Sequence, residues 1–174
     1  MARAVSEAAN SVSLRFATVD DCGLILEFIR ELALYEKAPD AVVATEAQLR
    51  EHGFGAQPRF EALIAELDGE PAGMALFHAR FSTWLGHPTL FLEDIFVREA
   101  ARRHGVGRRL MARLATIALE RGWGRVDFHV LDWNPARGFY QTLGFSHLDE
   151  WLRYGAAGDW LERLAAQDRE AGDG

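Results

Sequence analysis

The stretch from Phe91 to Leu119 constrains the fold of this chain more than any other. It starts with a β-branched and aromatic run, FLEDIFV, passes an arginine-rich turn ending in Gly105-Val106-Gly107, and continues with apolar residues at helical spacing. This pattern predicts a strand, a glycine-rich turn and a helix in direct succession. Such a turn favours anion binding, because amide N–H groups at a helix start carry partial positive charge and glycine permits close approach.

Positive charge is concentrated at this turn. The chain of 174 residues has a formal charge of −7, which argues against general nucleic-acid binding and favours cationic small partners. Six arginines nevertheless fall in one short segment: Arg98, Arg102, Arg103, Arg108, Arg109 and Arg113. A solvated charged face is the simpler explanation of such a run, but its position at a glycine-rich helix start favours a phosphate site.

Composition predicts a globular cytoplasmic protein. A content of 49% hydrophobic and 26% charged residues fits one domain that is large enough to bury a core. No apolar run reaches membrane-spanning length, and residues 1–12 lack the apolar core of a signal peptide. The single cysteine, Cys22, excludes an intrachain disulfide and a cysteine-cluster metal site. We therefore expect no membrane partner and no metal.

The first part of the chain predicts a leader, a strand and a helix. Residues 1–13 are small, polar and aperiodic, which indicates a flexible leader, and a short strand follows over 14–17. Apolar residues at helical spacing then predict a helix from about Asp20 to Lys37, with a capping-box pattern beginning at Thr18.

A weaker helix and a hairpin precede the central stretch. The helix is predicted over 39–54, and Asp68-Gly69 marks the turn between strands at 60–66 and 71–80. After the central helix, the sequence predicts a strand over 125–131, a short helix over 136–143, final strands over 145–148 and 151–154, an amphipathic segment over 159–166 and a flexible tail over 167–174.

Three designs of phosphate-binding turn compete for the central stretch. A Walker A loop needs Lys-Ser/Thr after its second glycine, and Arg108-Arg109 follow Gly107 here. A dinucleotide-binding turn needs a third glycine where Leu110 stands, and a well-spaced Asp127 does not compensate for its absence. The remaining pattern is Arg102-x-x-Gly105-x-Gly107 at a strand-to-helix junction.

That pattern resembles the pyrophosphate-binding motif of the GNAT acyltransferase superfamily. The resemblance continues in the second half of the chain with Leu131-Asp132-Trp133-Asn134, Phe139-Tyr140 and Leu143-Gly144-Phe145. Upstream segments are similar to the diamine (spermidine/spermine) acetyltransferase branch: Glu31-Leu32-Ala33-x-Tyr35-Glu36, Gly53-Phe54-Gly55 and Phe91-Leu92-Glu93-Asp94.

The resemblance implies a mixed α+β GNAT fold over residues 14–166, as a single domain with a central, mostly antiparallel twisted sheet flanked by helices. It implies acetyl-CoA as the co-substrate. The implied cofactor-binding residues are Ile95, Phe96, Val97, Arg102, Arg103, His104, Gly105, Val106, Gly107, Arg108, Asn134 and Tyr140. The segment from Asn134 to Tyr140 is one residue shorter than usual in the superfamily, which requires a tight turn at Pro135.

The resemblance also implies two catalytic side chains. Glu93 would accept the ammonium proton of the acceptor, directly or through water, and Tyr140 would donate a proton or hydrogen bond to the thiolate. Each residue has a simpler explanation, since Glu93 can be a structural carboxylate paired with an arginine and Tyr140 can be a core aromatic residue. Two adjacent acids in an apolar strand weaken the structural explanation of Glu93, because one of the two side chains then faces the interior or a cleft.

A small cationic amine is the implied acceptor. The candidate contacts are carboxylates and aromatic rings, each with an ordinary surface or core alternative: Tyr35, Glu36, Trp84, Glu93, Asp94 and Glu150. In polyamine acetyltransferases an acid precedes Pro-Trp in the loop before the central strand. Here Ser82-Thr83-Trp84 resembles the thialysine acetyltransferase variant, which favours a shorter or zwitterionic amine.

We therefore expect a cytoplasmic N-acetyltransferase of a small primary amine that works by direct transfer in a ternary complex. The acceptor is either a diamine or polyamine, or a thialysine-like or lysine-like amino acid. Two alternatives are acetylation of a protein N-terminus or antibiotic amine, and a non-catalytic acyl-CoA-binding regulator. The branch resemblance also implies a homodimer.

Overall fold

The computed structural model describes residues 10–172, with side chains described over residues 10–168. These residues form two compact units, one extending to Asp132 and one starting at Trp133. Most of the predicted leader, residues 1–13, lies outside the described residues, and the first strand begins at Val12. A single domain over 14–166 stays a prediction.

The first unit is built on a five-stranded sheet. Neighbouring strands are antiparallel except for the last pair, which is parallel, and the order in the sheet follows the order in the chain. This arrangement confirms the predicted mixed α+β architecture with a mostly antiparallel sheet. The strands are β1 (Val12–Phe16), β2 (Glu61–Leu67), β3 (Glu70–Ser82), β4 (His87–Val97) and β5 (Val126–Phe128).

Three helices cover the two faces of this sheet. They are α1 (Cys22–Tyr35), α2 (Glu46–Phe54) and α3 (Val106–Glu120). Buried side chains of α1 and α2 form one core with alternate residues of β2, β3 and β4, among them Ile64, Leu76 and Phe96. The buried face of α3 contacts β2, β3 and β4, and since successive strand side chains alternate, it covers the opposite face.

The local signals for helix starts are confirmed. Thr18 and Asp21 form the predicted capping box ahead of α1, and Thr45 forms another with Gln48 ahead of α2. The helix predicted over 39–54 is shorter in the structure, because α2 begins at Glu46 and ends at Phe54. At Asp68 and Gly69 the chain adopts positive φ angles of 54° and 86°, as the predicted hairpin turn requires.

Two arginine side chains connect α1 to the sheet. Arg15 on β1 donates hydrogen bonds from Nη1 and Nη2 to the two Asp21 carboxylate oxygens, at 2.7 and 2.8 Å. At the far end of the helix, Arg98 donates from Nε to both Glu31 oxygens at 3.1 Å, and its guanidinium lies 4.7 Å from the centre of the Phe28 ring. The end of β4 is thereby held against α1 by charge-assisted contacts.

The second unit differs from the sequence prediction. It contains α4 (Ala136–Thr142) and α5 (Asp159–Gly172), so the helix continues where we predicted a flexible tail. The prediction of strands over 145–148 and 151–154 is wrong. A strand needs a neighbouring strand with which it forms hydrogen bonds, and residues 133–172 contain no strand. In the first unit, β5 is shorter than predicted over 125–131, because its pairing with β4 ends at Phe128.

The helices also bear on membrane association. None of the helices in residues 10–172 combines the length and the apolar character that spanning a bilayer requires.

We predict that Asp21→Asn lowers the free energy of unfolding at pH 7 by about 2 kcal/mol. The hydrogen bonds from Arg15 lower the pKa of Asp21 from 3.8 to about 2, with help from the Thr18 backbone. A lowered carboxyl pKa stabilises the fold above the unfolded-state value and ceases to do so as the pH falls through the folded-state value. The difference should therefore narrow between about pH 4 and pH 2.

Urea unfolding followed by circular dichroism, across this pH range, measures the effect. Asp20→Asn serves as the control, since Asp20 is exposed and adjacent in the chain. Equal unfolding midpoints for the wild type and Asp21→Asn at pH 7 would contradict the assignment.

Candidate active site

The turn between β4 and α3 has the backbone of an anion-binding nest. Arg103 and Gly105 both adopt left-handed conformations, with φ angles of 66° and 83°. Left-handed residues within a turn direct neighbouring N–H groups into one concave space. No side chain of the described residues caps the first N–H groups of α3, and no atom lies within 4 Å of where a Gly105 Cβ would stand. Among residues 10–168, the space beside Gly105 at the positive end of the helix is therefore unfilled, as an anion-binding turn requires.

The charge of the turn is only partly neutralised by the protein. Within residues 10–168, no carboxylate forms an ion pair with Arg103, Arg108 or Arg109. Arg108 and Arg109 line a cleft of about 470 Å³, together with His104 and Gly105. This arrangement of exposed cations and helix-start N–H groups suits a phosphate or pyrophosphate.

Arg102 makes contacts within the protein that the sequence did not predict. Its Nε donates a 3.1 Å hydrogen bond to the Val97 carbonyl, and its guanidinium lies 4.9 Å from the centre of the Tyr35 ring. The side chain thus connects the turn to the end of α1. Sequence analysis missed this contact, because it assigned Arg102 to the donor and Tyr35 to the acceptor without a reason to bring them together.

Glu93 is the extra residue of a β-bulge in β4. In the pairing with β3, Asp94 lies opposite Leu76 and Leu92 lies opposite Phe77, so Glu93 has no partner. Its side chain is 56% exposed, and no arginine of the described residues pairs with it. The basic side chain beside it is instead His78, whose Nε2 lies 3.8 Å from Glu93 Oε2. The sequence did not predict this neighbour, because a histidine in an apolar strand gives only a weak signal.

Beyond the bulge, β4 presents backbone groups at an open edge. Its parallel pairing with β5 covers only Leu90 to Leu92, so no strand of the first unit pairs with the rest of β4 on that side. The Arg98 N–H donates to Ala72 of β3, at 2.9 Å. By strand alternation the Ile95 and Val97 N–H groups face the open edge, whereas that of Phe96 faces β3. Phe96 is therefore less suited to bind a cofactor through its N–H than predicted.

Three carboxylates gather where the end of α1 meets β4. Asp94 is partly buried, and its pKa is raised to about 6, first by burial and then by the negative charges of Glu93 and Glu36. Burial also raises the pKa of Glu36. Of the two adjacent acids in β4, Asp94 is thus the one that faces inward. A cation placed among these three groups would relieve their mutual repulsion.

Other predicted site residues lie in the turn between β3 and β4 and in the second unit. Trp84 is 84% exposed in the turn that connects β3 and β4. In the second unit, buried Asn134 accepts a 2.9 Å hydrogen bond from the Ala136 N–H, which forms the tight turn ahead of α4. Tyr140 packs on Phe139 with ring centres 5.3 Å apart, and Glu150 is exposed. Their roles stay predictions.

A metal site needs several ligating side chains close together. Within residues 10–168, His, Cys, Asp and Glu side chains form no group of three that is arranged to hold a metal ion.

Comparison with known proteins adds a family to this geometry. A family model described as the acetyltransferase (GNAT) family matches residues 27–145. The chain is 40% identical over 169 residues to a thialysine N-epsilon-acetyltransferase of Sus scrofa, covering 90% of this chain and 99% of that protein. It is 35% identical over 136 residues to the spermidine/spermine N(1)-acetyltransferase-like protein 1 of Homo sapiens, covering 74% of this chain and 19% of that protein.

A solved structure has a similar fold. An integron cassette protein from the mobile metagenome of V. cholerae superimposes with a TM-score of 0.74 at 28% identity, covering 89% of this chain and 98% of that one. The family match spans well over half of the chain, and both relatives fall in the branch that the sequence indicated. The chain therefore belongs to the acetyltransferase (GNAT) family and is an acetyl-transferring enzyme.

Proposed function

We propose that this chain transfers an acetyl group from acetyl-CoA to the primary amine of a small molecule, in a ternary complex of enzyme and both substrates. The observation that carries the proposal is the sequence of features along β4. Glu93 and Asp94 sit at the bulge, an open backbone edge follows, and the nest at Gly105 comes directly after the strand. Acceptor chemistry and donor binding are thus joined in one continuous segment.

The donor fits the end of this segment. The helix-start N–H groups at Val106, Gly107 and Arg108 would bind the CoA pyrophosphate, with the Arg103 and Arg108 side chains supplying charge. The open-edge N–H groups of Ile95 and Val97 would bind the pantetheine arm and the thioester oxygen. His104 and Asn134 remain further proposed contacts, and Arg102 would act by positioning the turn. When bound, acetyl-CoA supplies the activated acyl thioester.

The acceptor fits the carboxylate cluster. Glu36, Glu93 and Asp94 repel one another, so binding an ammonium group there is favourable and lowers the pKa of Asp94 from about 6. Tyr35, Trp84 and Glu150 are proposed as further contacts to the rest of the amine. The thialysine and spermidine/spermine names of the relatives support a diamine, polyamine or lysine-like acceptor.

The proposed chemistry combines these residues with the role that the family resemblance implies for Tyr140. Glu93 takes a proton from the acceptor ammonium, and the neutral amine attacks the thioester carbonyl. An N–H of Ile95 or Val97 stabilises the oxyanion that forms. The C–S bond then breaks, and Tyr140 would donate a proton or hydrogen bond to the departing thiolate. The new amide nitrogen gives up its extra proton to solvent or to the tyrosinate, which completes the proton balance.

The alternatives are weaker. An acyl-CoA-binding regulator has no need of a proton acceptor, whereas this chain has Glu93 in an exposed bulge and a tyrosine at position 140. A protein N-terminus or an antibiotic amine would be an equally cationic acceptor, and the branch of the relatives speaks against both. A homodimer and a cytoplasmic location are parts of the same proposal.

We predict that wild-type enzyme releases thiol from acetyl-CoA in the presence of small primary amines, and that Glu93→Gln lowers kcat/KM by about a hundredfold at neutral pH. The loss should shrink at alkaline pH, where the free amine no longer needs a proton acceptor. A thiol-release assay with diamines, polyamines, lysine and thialysine measures both effects.

Glu99→Gln is the matched control, because Glu99 is an exposed carboxylate between β4 and the nest. It should retain wild-type rates. Rates of Glu93→Gln equal to wild type at every pH would refute the assigned role, and no thiol release with any amine would refute the proposed function.

We predict that Asp94→Asn stabilises the protein and weakens acceptor binding. The pKa of Asp94 is raised from 3.8 to about 6, so the folded state holds this proton more tightly than the unfolded state does. Stability contributed by the protonated carboxyl is then lost as the pH rises through this window, by about 3 kcal/mol at pH 8. The neutral amide avoids that loss, while the KM for the amine should rise about tenfold.

Urea unfolding at pH 8 and steady-state kinetics measure the two effects. The exposed Asp40, changed to Asn, is the control and should alter neither. A variant that is no more stable than wild type at pH 8 would contradict the electrostatic account of Asp94.

A further inference from the structure

We propose that His78 relays to solvent the proton that Glu93 removes from the amine. This inference rests on the proposed function, because the relay begins with an acceptor ammonium. His78 acts through Glu93 and does not touch the reacting atoms, so its role is that of a positioning residue. Neither the sequence motifs nor the family comparison assigns it a role.

The bulge brings the two side chains together. His78 lies on β3 opposite Phe91, two residues beyond Leu76 and therefore on the α1 and α2 face. Glu93, unpaired in the bulge, approaches with Oε2 at 3.8 Å from His78 Nε2. This distance is slightly longer than a hydrogen bond. The exposed Glu93 side chain can close it by a small rotation, as catalytic contacts do on substrate binding.

The orientation of the His78 ring leaves Nε2 ready to receive a proton. Nδ1 lies 3.2 Å from the Ala79 carbonyl oxygen, which can only accept a hydrogen bond. Nδ1 therefore carries the hydrogen, and Nε2 of the neutral ring presents a lone pair to Glu93. The ring is also held against Phe91, with centres 5.3 Å apart. The tautomer that suits a relay is thus fixed by the backbone.

The charged groups around the ring leave Glu93 as its main partner. Arg80 lies over Phe91 at 5.0 Å and is paired with Asp127 of β5, at 3.2 Å. Arg125 pairs with the same Asp127 carboxylate. His129, which directly follows β5, packs on Phe91 with ring centres 5.2 Å apart. Asp94 adjoins Glu93 in β4, and Glu36 of the α1 end adds its charge there. Protonation of His78 would place a positive charge beside this acidic group.

The proton balance is simple. Glu93 as carboxylate takes a proton from R–NH₃⁺ and becomes a carboxylic acid, leaving R–NH₂. The acid passes the proton to His78 Nε2, which restores the Glu93 carboxylate and leaves an imidazolium. The imidazolium, on a side chain that is 33% exposed, releases the proton to water or buffer. No oxidant, reductant or metal takes part.

The test compares His78→Gln with His129→Gln in the full-length enzyme. His129 contacts the same Phe91 ring but has no ion-pair contact to Glu93 among the described residues, so it controls for loss of packing. In weak buffer near neutral pH, His78→Gln should lower kcat about tenfold, and added imidazole should restore it. At alkaline pH, where the amine is already neutral, the two variants should have similar rates. His129→Gln should show no response to imidazole.

Contrary outcomes are distinct. Wild-type kcat in His78→Gln under weak buffer would overturn the relay, and so would a loss that neither imidazole nor alkaline pH relieves. Nitrogen-15 NMR of the substrate-free protein gives a readout besides activity. Glu93→Gln should shift the His78 imidazole resonances and leave those of His129 in place, and unchanged His78 resonances would also overturn the proposal. If wild type acetylates no amine, the proposed function fails and the relay with it, while NMR still reports the contact itself.

Discussion

One extra residue in β4, Glu93, determines which side of the sheet the neighbouring side chains lie on. Before the bulge, Leu92 pairs with Phe77 and is buried on the α3 side of the sheet. After Glu93, strand alternation is reversed, so that Asp94 and Phe96 turn towards α1 and α2. The same reversal directs alternate N–H groups to the edge that β5 leaves open. The exposed carboxylate of Glu93, the inward-facing Asp94 and the open edge of β4 are consequences of a single irregularity.

The carboxylate cluster also depends on contacts that hold α1 against the end of β4. Arg98 binds Glu31 and covers Phe28, and Arg102 reaches from the turn to the Tyr35 ring. These contacts place Glu36 near Asp94, where burial and like charges raise the pKa of the Asp94 carboxyl. The arrangement costs stability at neutral pH and favours a cationic ligand. In the proposed function, the carboxylate that would bind the amine is therefore the one that costs stability at neutral pH.

Features with local causes could be predicted from the sequence. The capping box at Thr18, the hairpin at Asp68-Gly69 and the glycine turn at Gly105 depend on residues that are close in the chain, and the structure has all three. The bulge at Glu93 depends on the register between β3 and β4, where one residue changes every facing side chain. Sequence alone gives no such register.

Contacts between distant segments show the same limit. His78 beside Glu93 and Arg102 on Tyr35 arise only after the sheet and α1 have assembled. The strands predicted over 145–148 and 151–154 are absent for a related reason. Alternating apolar residues do not form a strand without a neighbouring strand to accept their hydrogen bonds. In the first unit, the residues predicted for the donor and the acceptor lie at the end of α1, in the turn between β3 and β4, on β4, and in the turn before α3.

The central claim is that β4 holds both substrates at once, so that the acetyl group passes directly between them. Initial rates measured while acetyl-CoA and the amine are both varied test this claim most directly. The account predicts that double-reciprocal plots give a family of intersecting lines, because the enzyme must bind both substrates before either product leaves. Parallel lines would show an acetyl-enzyme intermediate and would contradict it.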